Sequence, residues 1–280
     1  MTRNRLPIVG LAAVLAVACA PAASEPSLAG NGELRIATKI DEPGIGNFTD
    51  PSGSDRAGLD IDVAKYVAEK LGVALKWEQV QSESREDMIM NNHADLVIAS
   101  YSITDERKKK VAFAGPYLIV GQDVMVRAGD ETITGMDELK NKSKKTCSAI
   151  NSTSLGRLVD EFKLPAANIV KKKGYKECVA MLVGGQVDAV STDDAILLGY
   201  ANEPEFAGKV RVLGRALSEE RYGIGLARRW RKDCERLVTI LQQMVSDGSW
   251  QRFVERNLGQ DRLGRLPQPD PEPSSCAGPR

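Results

Sequence analysis

Short apolar strands alternate with amphipathic helices along most of the chain, and this alternation restricts its fold more than any other feature. Residues 34–38 read as an alternating strand, and a loop rich in Gly, Pro and Asp follows over 41–58. Ile61, Ala64, Val67, Ala68 and Leu71 then recur at helical spacing, with Asp60 and Asp62 at the positive end of the helix and Gly72 as its stop. Further strands are expected over 74–80, 95–99 and 118–126. A second series predicts strands over 146–150, 169–171 and 187–190, interleaved with helices over 155–162, 177–183 and 195–200. A last strand over 222–227 precedes two amphipathic segments, one through Leu237, Ile240, Leu241 and Met244, the other through Trp250, Phe253 and Leu258. Strands alternating with helices imply open α/β sheets covered on both faces. The chain has 280 residues, enough for two lobes that each bury a core. An internal echo agrees: Glu86-Asp87-Met88 leads into Asp95-Leu96-Val97 as Glu177-Cys178-Val179 leads into Asp188-Ala189-Val190.

Charge narrows the function. Lys and Arg number 38 against 38 Asp and Glu, so nothing favours a nucleic-acid partner. Hydrophobic residues at 42% and charged residues at 27% exclude a disordered chain and an integral transporter. The single histidine, His93, removes most metal sites and most imidazole acid–base chemistry, and no GxSxG, HExxH or P-loop occurs. Neither a metal nor a cofactor is expected. The Lys-rich stretches at 108–110, 142–145 and 171–173 read as solvated faces.

The first eighteen residues read as an address. Arg3 and Arg5 make a basic start, and residues 6–18 are apolar but too short to anchor in a bilayer. Small residues end at Ala18-Cys19, which looks like a bacterial lipobox with Cys19 as the lipidated first residue. Loss of 1–18 removes two arginines and no acid, leaving a formal charge of −2. Export leaves Cys147, Cys178, Cys234 and Cys276, an even number that suggests two disulfides with three connectivities open.

Three blocks carry a family resemblance. Gly58-Leu59-Asp60-Ile61-Asp62-Val63, Ala99-Ser100-Tyr101-Ser102-Ile103-Thr104-Asp105-Glu106-Arg107 and Asp188-Ala189-Val190-Ser191-Thr192-Asp193-Asp194 stand in order. Together they resemble the polar amino-acid binding proteins of ABC importers, solute-binding family 3, over residues 33–258. The resemblance implies an α/β, two-lobed periplasmic-binding-protein type II (Venus flytrap) fold with two crossing hinge segments, near 120–126 and 219–223. Residues 1–18 would be the signal peptide, 19–32 a tether, 33–124 plus 220–258 lobe 1, 125–219 lobe 2, and 259–280 a Pro-rich tail. A free amino acid needs a cation for its carboxylate and an anion for its ammonium, because an unpaired desolvated charge is costly.

By resemblance, Arg107 clamps the α-carboxylate, Asp193 receives the ammonium, and Ser100, Ser102, Ser152 and Thr153 complete the shells. Asn151 stands where the family often has Gly. Lys39 replaces a frequent Asp, and Ser82-Glu83-Ser84-Arg85 and Tyr175 match glutamate/aspartate-binding members, so Lys39, Ser82, Arg85 and Tyr175 join the expected site. Lys39, Arg85 and Arg107 against Asp193 would leave the cleft at +2, which favours glutamate or aspartate over glutamine. Actinobacterial glutamate importers look similar in the cysteines too, implying Cys147–Cys178 beside the site and Cys234–Cys276 pinning the tail. The resulting expectation is a monomeric, lipid-anchored capture protein that delivers an acidic amino acid to an ABC permease. The alternatives are a binder of glutamine or other polar amino acids, a dehydratase-like enzyme on the same scaffold, and a receptor's ligand-sensing domain.

Overall fold

Chain entry into the first sheet is through β1 (Glu33–Thr38), in a computed structural model that describes residues 27–50 and 55–278. The expected leader, Cys19 and the first part of the tether lie outside the described residues. Within that tether, Ser27 Oγ donates to Asp233 at 3.1 Å and Leu28 is buried in the core, so the chain is docked before β1 begins. The Gly/Pro/Asp segment expected as loop folds into a small antiparallel sheet, β2 (Asp41–Glu42), β3 (Gly46–Phe48) and β4 (Arg56–Ala57). Helix α1 (Leu59–Leu71) buries Leu59, Ile61, Val63, Ala64, Val67 and Ala68. Gly58 precedes it at φ 129, where a Cβ would overlap the Ile45 carbonyl, so no other residue fits there.

Next come β5 (Ala74–Gln79), α2 (Arg85–Met90), β6 (Leu96–Val97), α3 (Asp105–Lys108) and β7 (Ala112–Val120). The second lobe contains β8 (Gln122–Arg127), β9 (Thr146–Ala149), α4 (Thr153–Asp160), β10 (Ile169–Lys172), α5 (Tyr175–Val183), β11 (Ala189–Asp193), α6 (Asp194–Asn202) and β12 (Val210–Val212). The chain returns through β13 (Glu220–Leu226) to α7 (Arg231–Ser246), α8 (Ser249–Leu258) and α9 (Gln260–Leu263).

The two large sheets share one plan. The first runs β5-β1-β6-β13-β7 and the second β10-β9-β11-β8-β12. In each, three parallel strands are followed by a strand antiparallel to them. The repeated sequence segment accordingly supplies the central strand of both sheets, β6 and β11.

Three strand expectations need correction. Residues 118–126 are not one strand: β7 ends in the first sheet and β8 begins in the second, with Gly121 between them. The apolar run is continuous because both lobes bury it, and periodicity cannot register a change of sheet. A Cβ on Gly121 would lie 2.8 Å from the Ser218 carbonyl oxygen, so the two crossing segments touch there. The strand expected over 187–190 is displaced to β11, and that over 95–99 shrinks to the two residues of β6. Strand β12 is too short to show a period.

Residues beyond 259 also hold structure. A 3-10 turn at Pro273–Cys276 follows α9, Glu272 N–H donates to Gly115 O at 3.0 Å, and Gln242 Nε2 donates to Pro271 O at 2.9 Å. Arg262 pairs with Asp194 of the second lobe at 2.9 Å. Cys234–Cys276 ties this segment to α7, and Cys147–Cys178 ties β9 to α5, with Cα separations of 5.9 and 5.5 Å. No helix among the described residues is long and apolar enough to cross a membrane.

The Cys147–Cys178 link closes 31 residues, for which loop-closure entropy gives about 3–4 kcal/mol. Replacing both cysteines with alanine is expected to lower stability by that order in denaturant melts, while the Cys234/Cys276 double variant loosens the tail and leaves the fold of the second lobe intact. Equal urea midpoints for the parent and the Cys147/Cys178 double variant would refute this.

Candidate functional site

The carboxyl ends of the parallel strands in both sheets face the gap between the lobes, where open α/β sheets bind ligands. Lys39 follows β1, Ser100 and Ser102 follow β6, Asn151 to Thr153 follow β9, and Asp193 is the last residue of β11. Asp193 does not cap α6 with its side chain. Its carboxylate accepts the Tyr222 hydroxyl from the other lobe instead. Burial raises this carboxyl to about 6, and the charge of Glu42 adds to the rise.

The turn after β6 is set by Asp60. This fully buried carboxylate accepts Ser100 N–H and the Tyr117 hydroxyl, each at 2.7 Å, and burial raises it to about 7. Ser100 is held at φ 44, a left-handed conformation unusual for a residue with a side chain. The turn thereby aims the carbonyls of Ala99 and Ser100 at Arg85 Nη1, at 3.0 and 2.9 Å. Arg107 comes from the short α3, where Thr104 Oγ1 caps by accepting Arg107 N–H. Its Nη1 donates to Ser102 O at 2.8 Å, and its Nε lies 3.4 Å from Glu86. It does not pair with Asp105 or with Glu106, which binds Lys109. Arg85 and Arg107 both lie against the ring of Tyr101, at 4.7 and 5.0 Å from its centroid. Burial lowers Arg107 to about 10, and the neighbouring charge of Arg85 adds to this.

The opposite wall is polar. Asn151 adopts φ 58, which explains how it serves where a glycine would be at ease. Its carbonyl accepts Arg107 Nη2 at 3.1 Å and Arg85 Nη2 at 3.5 Å, joining the lobes. Ser152 caps α4 by accepting Leu155 N–H, and Thr153 Oγ1 lies 3.4 Å from Ser102 Oγ. Burial raises Tyr175 to about 12, and the charge of Asp193 adds to the rise.

Eight of the ten expected residues line one small inter-lobe space of about 10 Å³. Ser82, Arg85, Ser100 and Ser102 come from one lobe, and Ser152, Thr153, Tyr175 and Asp193 from the other. Arg107 lines an adjoining cavity of about 460 Å³ that shares Ser152 and Thr153. Lys39 lines neither; it is fully buried with Nζ 3.0 Å from Glu42 Oε1. Sequence reasoning missed Glu42 and Glu86, and with them the charge count changes. Three cations face three carboxylates (Asp193, Glu42 and Glu86), so the expected excess of +2 is absent. A polar acid three residues after Lys39 was the available signal for Glu42; nothing local marked Glu86 as the partner of Arg107.

A cleft between two lobes, with fixed cations on one wall and a fixed anion on the other, has the charge pattern that suits a small zwitterion, and the class this fold and site define is that of the two-lobed binding proteins. The chain belongs to the bacterial extracellular solute-binding proteins, family 3, whose model matches residues 34–260. It is 36% identical over 243 residues to the glutamate-binding protein GluB of Corynebacterium efficiens, covering 82% of this chain and 80% of that one. It is 31% identical to the ABC transporter glutamine-binding protein GlnH of Bacillus subtilis, covering 82% and 83%. The solved structure of an ancestral arginine-binding protein bound to glutamine superposes with a TM-score of 0.74 at 31% identity, covering 82% of this chain and 99% of that one. The protein is therefore an exported amino-acid-binding component of an ABC transporter.

Lobe contact is made through backbone at two glycines. A Cβ on Gly199 of α6 would overlap the Pro43 carbonyl, and one on Gly174 would overlap the Asp41 carboxylate. Gly199→Ala should raise helix propensity by about 1 kcal/mol yet hold the lobes apart. The expected result is amino-acid affinity reduced tenfold or more, by about 1.4 kcal/mol, an undiminished melting temperature without ligand, and a larger scattering radius at saturating ligand. Parental affinity in this variant would show that the lobes do not meet there.

Proposed function

We propose that the protein captures an acidic amino acid, glutamate or aspartate, between its lobes. In this reading Arg107 takes the α-carboxylate, Asp193 the ammonium and Arg85 the side-chain carboxylate. Ser82, Ser100, Ser102, Ser152, Thr153 and Tyr175 complete the hydrogen-bond shells. The observation that carries the reading is the condition of Arg85. The residue is 2% exposed, no carboxylate among the described residues pairs with its guanidinium, and its Nε has no hydrogen-bond partner. Lys39 and Arg107 have Glu42 and Glu86; Arg85 has only carbonyls, the Tyr101 ring and a seat in the inter-lobe space. A buried cation without an anion is costly, and a ligand carboxylate offsets that cost. The likeness to GluB supports the same ligand.

The even charge count favours glutamine as the second reading, in line with the relative named for it. The remainder of the proposal is a monomer tethered to the outer face of the cell membrane by a lipid on Cys19, handing its ligand to a permease. Such a carrier returns its ligand unchanged, so product analysis after incubation with glutamate separates it from a dehydratase.

Arg85→Gln is expected to weaken glutamate about tenfold to hundredfold by calorimetry and glutamine far less, because a charged hydrogen bond in a desolvated site is worth roughly 1.5–3 kcal/mol. Arg107→Gln weakens both alike, since both present an α-carboxylate. Equal losses for the two ligands at Arg85 would remove it from the side-chain pocket.

Asp193 gives a second check. Its carboxyl titrates at about 6 and must be ionised to hold an ammonium. Affinity is therefore full above that value and falls as the pH drops through it, by about tenfold between pH 7 and pH 5. Asp193→Asn should bind weakly at every pH with the fall abolished. A parent whose affinity is flat over this range would exclude Asp193 as the ammonium's partner.

A further inference from the structure

Lys39 and Glu42 are fully buried, three residues apart on the chain, with Nζ 3.0 Å from Oε1. Neither Lys39 Nζ nor either Glu42 oxygen has an aligned hydrogen-bond partner. The two charges are thus balanced mainly by each other, with Asp41 a weaker neighbour of Lys39 at 3.9 Å. Such a pair carries no net charge while both members are present and becomes a strong local charge when either is lost.

Position makes that charge matter. The Lys39–Glu42 turn lies on the seam between the lobes, where the Tyr200 hydroxyl donates to Asp41 O and the backbones of Gly174 and Gly199 press on Asp41 and Pro43. The field of Glu42 reaches Asp193 and Tyr175, two residues that line the inter-lobe space. Lys39 itself does not line that space.

We propose that Glu42 is a specificity-determining residue: by neutralising Lys39 it withdraws that cation from the ligand, leaves Arg85 as the sole reader of the side-chain charge, and so lets the cleft accept an amide as well as a carboxylate. The inference rests on the reading that the cleft holds an amino acid whose side chain meets Arg85. Without Glu42, the exposed field of Lys39 attracts an anionic side chain. Without Lys39, the field of Glu42 repels one. Without both, the ligand sees no change.

Calorimetry with L-glutamate and L-glutamine on the parent, Glu42→Gln, Lys39→Met and the double variant Lys39→Met/Glu42→Leu tests this. The quantity read is the ratio of the two affinities, which a purely structural defect would not move. Glu42→Gln should raise the glutamate-to-glutamine ratio about tenfold or more, and Lys39→Met should lower it by a similar factor. The double variant should keep the parental ratio within about twofold. An unchanged ratio in folded Glu42→Gln overturns the inference. So does a double variant whose ratio falls as far as that of Lys39→Met, because Lys39 would then touch the ligand directly. If Glu42→Gln does not fold, the double variant against Lys39→Met decides alone. A parent that prefers glutamine refutes the acidic-ligand reading, yet the ratios must still shift in these directions for the role of Glu42 to stand.

Discussion

Two guanidinium groups held against one tyrosine ring are the constraint on which the site depends. Arg85 and Arg107 repel each other across Tyr101, and burial deprives both of water. The arrangement persists because carbonyls of Ala99, Ser100, Ser102 and Asn151 are aimed at them and Glu86 supplies one negative charge. The Ala99 and Ser100 carbonyls in turn depend on the turn that Asp60 holds from the first turn of α1. A carboxylate at the head of the first helix therefore sets the carbonyls that hold Arg85, and the bonds it accepts from Ser100 N–H and the Tyr117 hydroxyl offset the cost of its own burial.

Ligand capture in such a site is an exchange of partners. Asn151 O accepts from one Nη2 on each arginine, so a carboxylate that arrives at those donors competes with it. One set of hydrogen bonds replaces another, and the net gain per bond is far smaller than its gross strength. Under the proposed reading, discrimination rests on what each donor lacks beforehand. Arg107 already has Glu86; Arg85 has no carboxylate among the described residues.

Much of this was legible in the sequence because periodicity reports burial. The strands and helices around α1, β5, β9, α4, α5 and α6 emerged from apolar spacing, and the internal echo marked the central strands of both sheets. The break at Gly121 did not emerge, since residues on either side are equally buried and differ only in which sheet they join. The site residues Arg85, Arg107, Asp193 and the hydroxyl residues came from the family resemblance and not from periodicity, and neither source gave the state of their charges. Lys39 looked like a free cation because its partner Glu42 sat in a segment read as loop. Glu86 looked like one more acid on a short helix, and only the fold brings it to Arg107. Charge pairing is a property of three-dimensional neighbours, and a residue count along the chain cannot supply it.

The glycines at the seam have a kinetic meaning. Where lobes meet through long side chains, each collision must also find the right rotamers, and ordering them costs entropy. Gly199 presents bare backbone to the Pro43 carbonyl, so that point has no rotamer to search or freeze, and at Gly174 only the short Asp41 side chain has one. A swing of the lobes that closed these contacts would need little rearrangement at the surfaces that touch. The same bareness sets a hard stop at Gly199, where backbone meets backbone and neither side can yield.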